Sequence, residues 1–431
     1  MIIFDLSRLI SRAGRETPTG IDRVELAYAQ HLIIEKTPLC FAMLTPFGRF
    51  GVLPRAAAED YIGVLAAAWR HAASPQLMRR AIRRARSLVA AAPLRGARAL
   101  RAQSLSEVGQ PVYLLVSHHH LEKRWVINRL KQQSKARFVC LIHDLIPIEF
   151  PEYALPGQND KHRRRIETAA ALADAVIVNS AVTRDAFAPY LARAGRTPPM
   201  LVAPFGVDLR AGSPTEQPAV QPPYFVCVGT IEARKNHLLL LNLWRRLVFE
   251  LGDTAPRLVL VGQRGWETEN AVDMLERCPA LRGVVLEQNN LSDVDVARLL
   301  EGAQALLLPS FAEGFGFPLI EALALGVPVI CSNLAALRET GVSVPEYIDP
   351  LDGAAWRQAI IDYSLPASSR RTAQLRRLTG WKPPSWADHF AAVKRLIAEV
   401  SSVRQHSAEV PVPIELTLAP QPQVNGRLRQ F

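Results

Sequence analysis

Short runs of aliphatic and β-branched residues recur along the chain: MIIFDLS, CFAMLTP, PVYLLVS, RFVCLIHD and AVIVNS, then YFVCVGT, RLVLVG, VVLEQ, ALLLPS and PVICS. Strands that are apolar without alternation must be covered on both faces, and the helix-length segments between most of them can supply that cover. The pattern predicts an α/β fold built on parallel sheets. In open sheets of this kind ligands collect at the C-terminal ends of the strands. Many of the runs end there in Gly, Asp, His, Asn or Ser, so those ends are where chemistry is to be sought.

At 431 residues the chain is too long for one ordinary core and suggests two domains. The stretch AGSPTEQPAVQPP, residues 211–223, is Pro-rich and aperiodic, as a linker is. It separates a domain over 1–210 from one over 224–385. Residues 386–400, WADHFAAVKRLIAEV, have the apolar spacing of a helix able to return to the first domain, and 401–431 are expected to form a mobile tail. The composition, 49% hydrophobic and 21% charged, is that of a soluble globular protein. No apolar run approaches the roughly 18 residues of a membrane span, and MIIFDL meets Asp5 too early for a signal peptide, so a cytoplasmic protein is expected. The cysteines at 40, 140, 227, 278 and 331 form no CxxC pair, which argues against disulfides and structural zinc. A net charge of +11 favours an anionic partner: nucleotide phosphate, anionic lipid or nucleic acid.

The segment SFAEGFGFPLIEALALGVPVI, from Ser310, joins a strand end, a Gly-rich turn, a helix and a further strand. Gly314 and Gly316 allow the backbone close to a ligand, and the helix starting near Phe317 offers free N–H groups to an anion. Glu313 in the turn and Glu321 on the helix lie roughly 12 Å apart along the axis, far enough to grip two parts of one long ligand. A second segment, YFVCVGTIEARKNH from Tyr224, places Arg234 and Lys235 at a helix start, where paired cations are unfavourable unless an anion lies between them.

Around these motifs the sequence resembles the family-4 glycosyltransferases of the GT-B fold, whose signature is two glutamates eight residues apart around a G-F-G turn. The resemblance implies two Rossmann-like domains facing across a cleft, a nucleotide-sugar donor held mainly by the second, and retention of anomeric configuration without a metal. Glu313, Gly314, Phe315 and Gly316 would then meet the donor sugar and Glu321 the ribose. Arg234 and Lys235 would hold the diphosphate. Thr230 departs from the family, many of whose members have an arginine there. Gly262, in GQRGW, and Leu291, in LEQNNLSDVDVARLL, fall in loops that surround the base. The Asp293-Val294-Asp295 triplet is read as helix capping by Ser292, not as a metal site.

In the first half, TPTGIDRVELAYAQHL carries Gly20 before a helix with Ile21, Val24, Tyr28 and Leu32 on its apolar face; the family brings a glycine loop against the donor phosphate here, although the usual double glycine is Thr-Gly. His143, ending RFVCLIHD, matches a family histidine beside the reacting sugar. His118, His119 and His120 are expected to face the cleft. Between Tyr61 and Ser106 there is no acidic residue, and arginines at 79, 80, 83, 84 and 86 surround an apolar stripe of Met78, Ile82, Ala85 and Val89. Residues 78–101 therefore suggest contact with an anionic membrane surface, on its cytoplasmic side. Nucleic acid is the weaker candidate, because no stacking platform accompanies the charge.

The resulting expectation is a metal-independent retaining hexosyltransferase, with Glu313, His143, Arg234 and Lys235 as its catalytic groups. The donor is expected to be GDP-mannose and the acceptor a glycan or lipid-linked saccharide in bacterial polysaccharide assembly. The alternative is a non-catalytic relative that binds membrane or polysaccharide.

Overall fold

The structure is a computed structural model in which residues 1–35, 37–45, 48–70, 74–92, 110–207, 220 and 222–402 are described. Most of the Pro-rich stretch 211–223, residues 93–101 of the basic segment and 403–431 of the expected tail lie outside the described residues.

The first domain is a seven-stranded sheet in the order β3-β2-β1-β4-β5-β6-β7. Its strands are β1 (Ile2–Asp5), β2 (Leu39–Leu44), β3 (Phe50–Leu53), β4 (Val112–Leu115), β5 (Arg137–Ile142), β6 (Ala175–Val178) and β7 (Met200–Val202). All neighbours are parallel except β2 and β3. The second domain is an all-parallel sheet, β10-β9-β8-β11-β12-β13. It comprises β8 (Tyr224–Val228), β9 (Arg257–Val261), β10 (Val285–Gln288), β11 (Leu306–Leu308), β12 (Val329–Ser332) and β13 (Glu346–Ile348). The central strands are buried on both faces, which is why they read as unbroken apolar runs. The strands absent from the sequence reading, β3, β7 and β13, are sheet edges of three or four residues, too short to carry a pattern.

In each sheet the strand order reverses once beside the first strand, between β1 and β4 and between β8 and β11. That reversal opens a crevice at the strand C-terminal ends. The two crevices face each other.

Helix Trp386–Ser402 packs on the first domain, below β4 to β7. Phe390, Val393, Leu396 and Val400 are buried there, each worth about 1.5–3 kcal/mol by apolar burial. His389 Nε2 meets the Tyr28 hydroxyl at 2.7 Å, Phe390 stacks on His31 with centroids 3.9 Å apart, and Lys394 pairs with Glu35 at 2.7 Å. The chain thus crosses between domains at Phe205–Val207 and again near Trp386, and the crossings touch: a Cβ at Gly206 would lie 2.1 Å from the Trp386 nitrogen. Phe205 stacks on Phe317 with rings 2° from parallel and meets Phe315 edge-on, tying the crossing to the Gly-rich turn.

Candidate active site

The turn after β8 carries Gly229, Thr230 and a single 3-10 turn, Ala233–Lys235, before helix His237–Leu251. The turn after β11 carries Ser310 to Gly316 before helix Phe317–Ala324. Strand pairing of β8 with β11 brings the two turns together. Lys235 Nζ donates to Glu313 Oε1 at 2.5 Å, Arg234 Nη1 to Glu313 Oε2 at 3.3 Å, and Ser310 Oγ to Glu313 Oε1 at 2.7 Å. Arg234 also donates to Glu232 at 2.6 Å and to the Ala312 carbonyl at 2.5 Å. The anion that the paired cations require is therefore, in this state, Glu313 itself. Burial alone would raise its carboxyl; Lys235 and Arg234, aided by the hydrogen bonds from Lys235 and Ser310, outweigh that and hold it at about 2.

Gly314 places this turn against the first domain: a Cβ there would lie 2.9 Å from Asp144 Cβ and 3.2 Å from the His143 carbonyl. Gly316 has φ +87°, and an added Cβ would sit 2.5 Å from Leu337, so only glycine turns the chain into the helix here. Phe315 is buried against Phe205.

His143 is buried at the end of β5. Its Nε2–H donates to the Val116 carbonyl at 2.8 Å, its backbone N–H donates to His118 Nε2 at 3.1 Å, and its carbonyl accepts from Asn179 at 2.8 Å. Burial lowers its pKa to about 4, against the opposing effects of the Val116 hydrogen bond and Asp144, so the ring is neutral near pH 7. The three preceding histidines divide. His118 packs on His143 and His162, whereas His120, at φ +47°, turns inward to Tyr113 and Asp5. The expectation that all three face the cleft fails for His120, because Asp5, at the end of central strand β1, is a buried acid that draws the ring inward.

Helix Gly20–Ile34 starts at a capping box in which Thr19 and Asp22 exchange hydrogen bonds. A Cβ at Gly20 would meet the Phe317 ring at 3.4 Å, so the starts of this helix and of Phe317–Ala324 abut across the cleft. One turn on, Arg23 Nη1 donates to Glu321 Oε1 at 2.8 Å and Nη2 pairs with Asp293. Glu321 is legible in its motif and Asp293 only as part of a capped helix start, whereas Arg23 carries no local signal; the three meet only through the fold. Burial raises the Glu321 carboxyl, with Arg23 opposing and Asp293 adding to the rise. Ser292 caps the helix Asp293–Glu301 through the Asp295 N–H at 3.2 Å. Gly262 rests on the Gly229 carbonyl, and Gln263 reaches both Asn290 at 3.2 Å and Thr17 of the first domain at 3.3 Å. Leu291 is half-buried in the same loop cluster, and Thr230 is half-buried with its methyl against Gly265. A cavity of about 190 Å³ between the domains is lined by Arg23, Trp69, Leu300, Phe317, Glu321 and Trp386, and not by His143, Lys235 or Glu313. Among the described residues no group of three or more His, Cys, Asp or Glu side chains is gathered so as to hold a metal.

Helix Pro75–Ala91 turns its apolar side inward: Ala81, Ala85 and Leu88 are buried and Met78, Ile82 and Val89 pack on the same core. The apolar stripe expected to meet a membrane is thus covered by protein, and the five arginines face outward. Arg80 and Arg84 pair with Asp60; Arg79, Arg83 and Arg86 line the opposite flank. No helix among the described residues is long and apolar enough to cross a membrane.

Two Rossmann-like domains with their crevices face to face define the GT-B fold, and residues 222–363 match the family described as Glycosyl transferases group 1. The chain has the GT-B fold, and within its second domain residues 222–363 are similar to the group 1 glycosyl transferases. In sequence it is 36% identical over 163 residues to O-antigen chain mannosyltransferase B of Escherichia coli, covering 38% of this chain and 42% of that one. It is 30% identical over 292 residues to the D-inositol 3-phosphate glycosyltransferase of Geodermatophilus obscurus, covering 61% and 63%. The chain thus spans less than half the length of the E. coli mannosyltransferase. In structure it resembles the Anabaena protein HepE, solved in complex with UDP-glucose, with a TM-score of 0.56 at 16% identity over 93% of this chain and 99% of that one.

Proposed function

We propose that the protein transfers a hexose from a nucleotide-sugar, with mannose from GDP-mannose as the donor, to a glycan or lipid-linked saccharide of bacterial polysaccharide assembly. The observation that carries the proposal is the cluster of Lys235, Arg234 and Glu313 at the strand reversal of the second domain, facing His143 and Asp144 of the first. A donor diphosphate entering this crevice brings the anion that two buried cations can bind in place of Glu313. Glu313 and the amides of Gly314, Phe315 and Gly316 are then released to the sugar hydroxyls, while Glu321 takes the ribose and the loops at Gly262 and Leu291 take the base. As the glycosidic bond breaks, negative charge grows on the departing phosphate, and Arg234, Lys235 and the start of helix Phe317–Ala324 stabilise it. This countercharge serves the reaction without a divalent ion. Neutral His143 orients the sugar, and retention follows if the acceptor oxygen attacks the face the phosphate leaves, with that phosphate taking the proton. The mannose assignment rests on the resemblance to O-antigen chain mannosyltransferases.

The outward arginines of helix Pro75–Ala91 support a location on the anionic inner face of the plasma membrane, held by charge rather than by insertion. The test of the donor is thermal stabilisation by GDP, GDP-mannose, UDP and UDP-glucose, with and without EDTA. Stabilisation by the guanosine pair that survives EDTA is expected; stabilisation by the uridine pair alone rules out the mannose assignment, and loss of the effect with EDTA rules out the metal-independent step.

A further inference from the structure

Glu321 does not face the crevice alone. Arg23 belongs to the other domain, 298 positions away in sequence, and the capping box at Thr19 and Asp22 fixes the first turn from which it projects. Its guanidinium lies between two carboxylates of the second domain. Nη1 takes Oε1 of Glu321 at 2.8 Å and Nη2 takes Asp293, a planar fork filled at both prongs. Among the described residues Glu321 Oε2 receives no hydrogen bond, so the grip leaves one oxygen of the carboxylate open. Burial works against the charge of Glu321, and Arg23 is the group that opposes it. Asp293 is largely exposed and would not by itself pull Arg23 inward, whereas together the two acids fix its position.

We propose that Arg23 is a positioning residue for nucleotide recognition: gripping Oε1 of Glu321 from the opposite domain, it aims Oε2 at the ribose hydroxyls, so that the ribose is read only when the domains are together. The inference rests on the assignment of Glu321 to the ribose. Nucleotide affinity and domain closure then become one equilibrium, because a ligand that needs the gripped carboxylate favours the state in which Arg23 reaches it.

Calorimetric titration of the full chain with GDP and 2′,3′-dideoxy-GDP, and with UDP and its dideoxy counterpart, separates these ideas. A carboxylate hydrogen bond to a hydroxyl is worth about 1.5–3 kcal/mol, so the wild-type protein should prefer the ribonucleotide by roughly tenfold or more. Arg23→Ala should weaken ribonucleotide binding about tenfold while leaving the dideoxy affinity nearly unchanged, collapsing the preference to within about threefold. Arg23→Lys, which keeps the charge but loses the fork, should fall between, and Asp293→Asn should reproduce part of the loss. Thermal melting of each variant reports folding, and a merely structural role for Arg23 would weaken both ligands equally. Retention of the preference in Arg23→Ala when Glu321→Ala abolishes it would overturn the inference and leave the ribose assignment standing. Retention of the preference in Glu321→Ala would overturn the ribose assignment itself. Tighter ribonucleotide binding by Arg23→Ala would overturn the inference by showing that Arg23 is a plug.

Discussion

Glu25 in the first domain and Glu313 in the second are both shut away from bulk water, yet Glu25 is pushed up to about 8 and Glu313 held at about 2. Burial raises both. Around Glu25 the largest influence after burial is Asp5, a second acid, which with burial outweighs the opposing effects of Arg8, Ser117 and the Leu9 N–H that Oε1 accepts at 3.3 Å. Around Glu313 stand Lys235, Arg234 and Ser310. The first domain keeps its buried carboxyl neutral; the second stores a charge that cations have already compensated, and a phosphate can exchange into such a place.

Exchanging each acid for its neutral amide is the most direct way to break this comparison. Glu313→Gln leaves buried Lys235 without its anion and Arg234 with Glu232 as its remaining acid, and should cost about 3–5 kcal/mol in urea unfolding at pH 7. Next in size, Lys235→Ala should lower turnover by about a hundredfold or more if it stabilises the leaving phosphate; unchanged turnover would falsify that role. A smaller effect is expected at the outward cations of the first domain, where Arg83→Ala should weaken sedimentation with anionic vesicles by about fivefold, or about 1 kcal/mol, and leave neutral vesicles unaffected. Smallest of all, Glu25→Gln replaces one neutral group by another and should change stability at pH 7 by less than about 1 kcal/mol.

The pH dependence sharpens the same contrast. Because the folded-state pKa of Glu313 is lowered, its contribution is present above the ordinary glutamate range and is lost as pH falls toward 2. Glu25 is the reverse: its contribution is present below about pH 4.5 and is lost as pH rises through about 8. Melting curves across that range should therefore lose their acid limb in Glu313→Gln and soften their alkaline limb in Glu25→Gln. An alkaline limb identical in the wild type and Glu25→Gln would show that Glu25 is ionised in the fold.

What could be read from the sequence follows the same division. Glu313, Gly316 and Glu321 are neighbours in one strand–turn–helix segment, and Arg234 and Lys235 sit in one turn, so local spacing announces them. The partners of Glu321 do not: Arg23 and Asp293 reach it only because two sheets face each other. Glu25 and Asp22 lie among the buried residues of an amphipathic helix, yet their charge reads as surface. His120 likewise looks like part of a histidine cluster at a strand end until its positive φ turns it toward Asp5. Helix Pro75–Ala91 announced both of its faces correctly, but periodicity does not say whether the apolar one meets lipid or protein.

The helix Trp386–Ser402 is made after the second domain and seated on the first, where it covers Tyr28, His31 and the segment ending at Phe205. During synthesis the first domain therefore waits, its seam uncovered, while the whole second domain leaves the ribosome. A fragment ending at Val207 should be sticky and poorly behaved, and adding residues 386–402 as a separate peptide should restore it. The order of manufacture and the order of completion are opposite, and the half of the protein that emerges first is finished last.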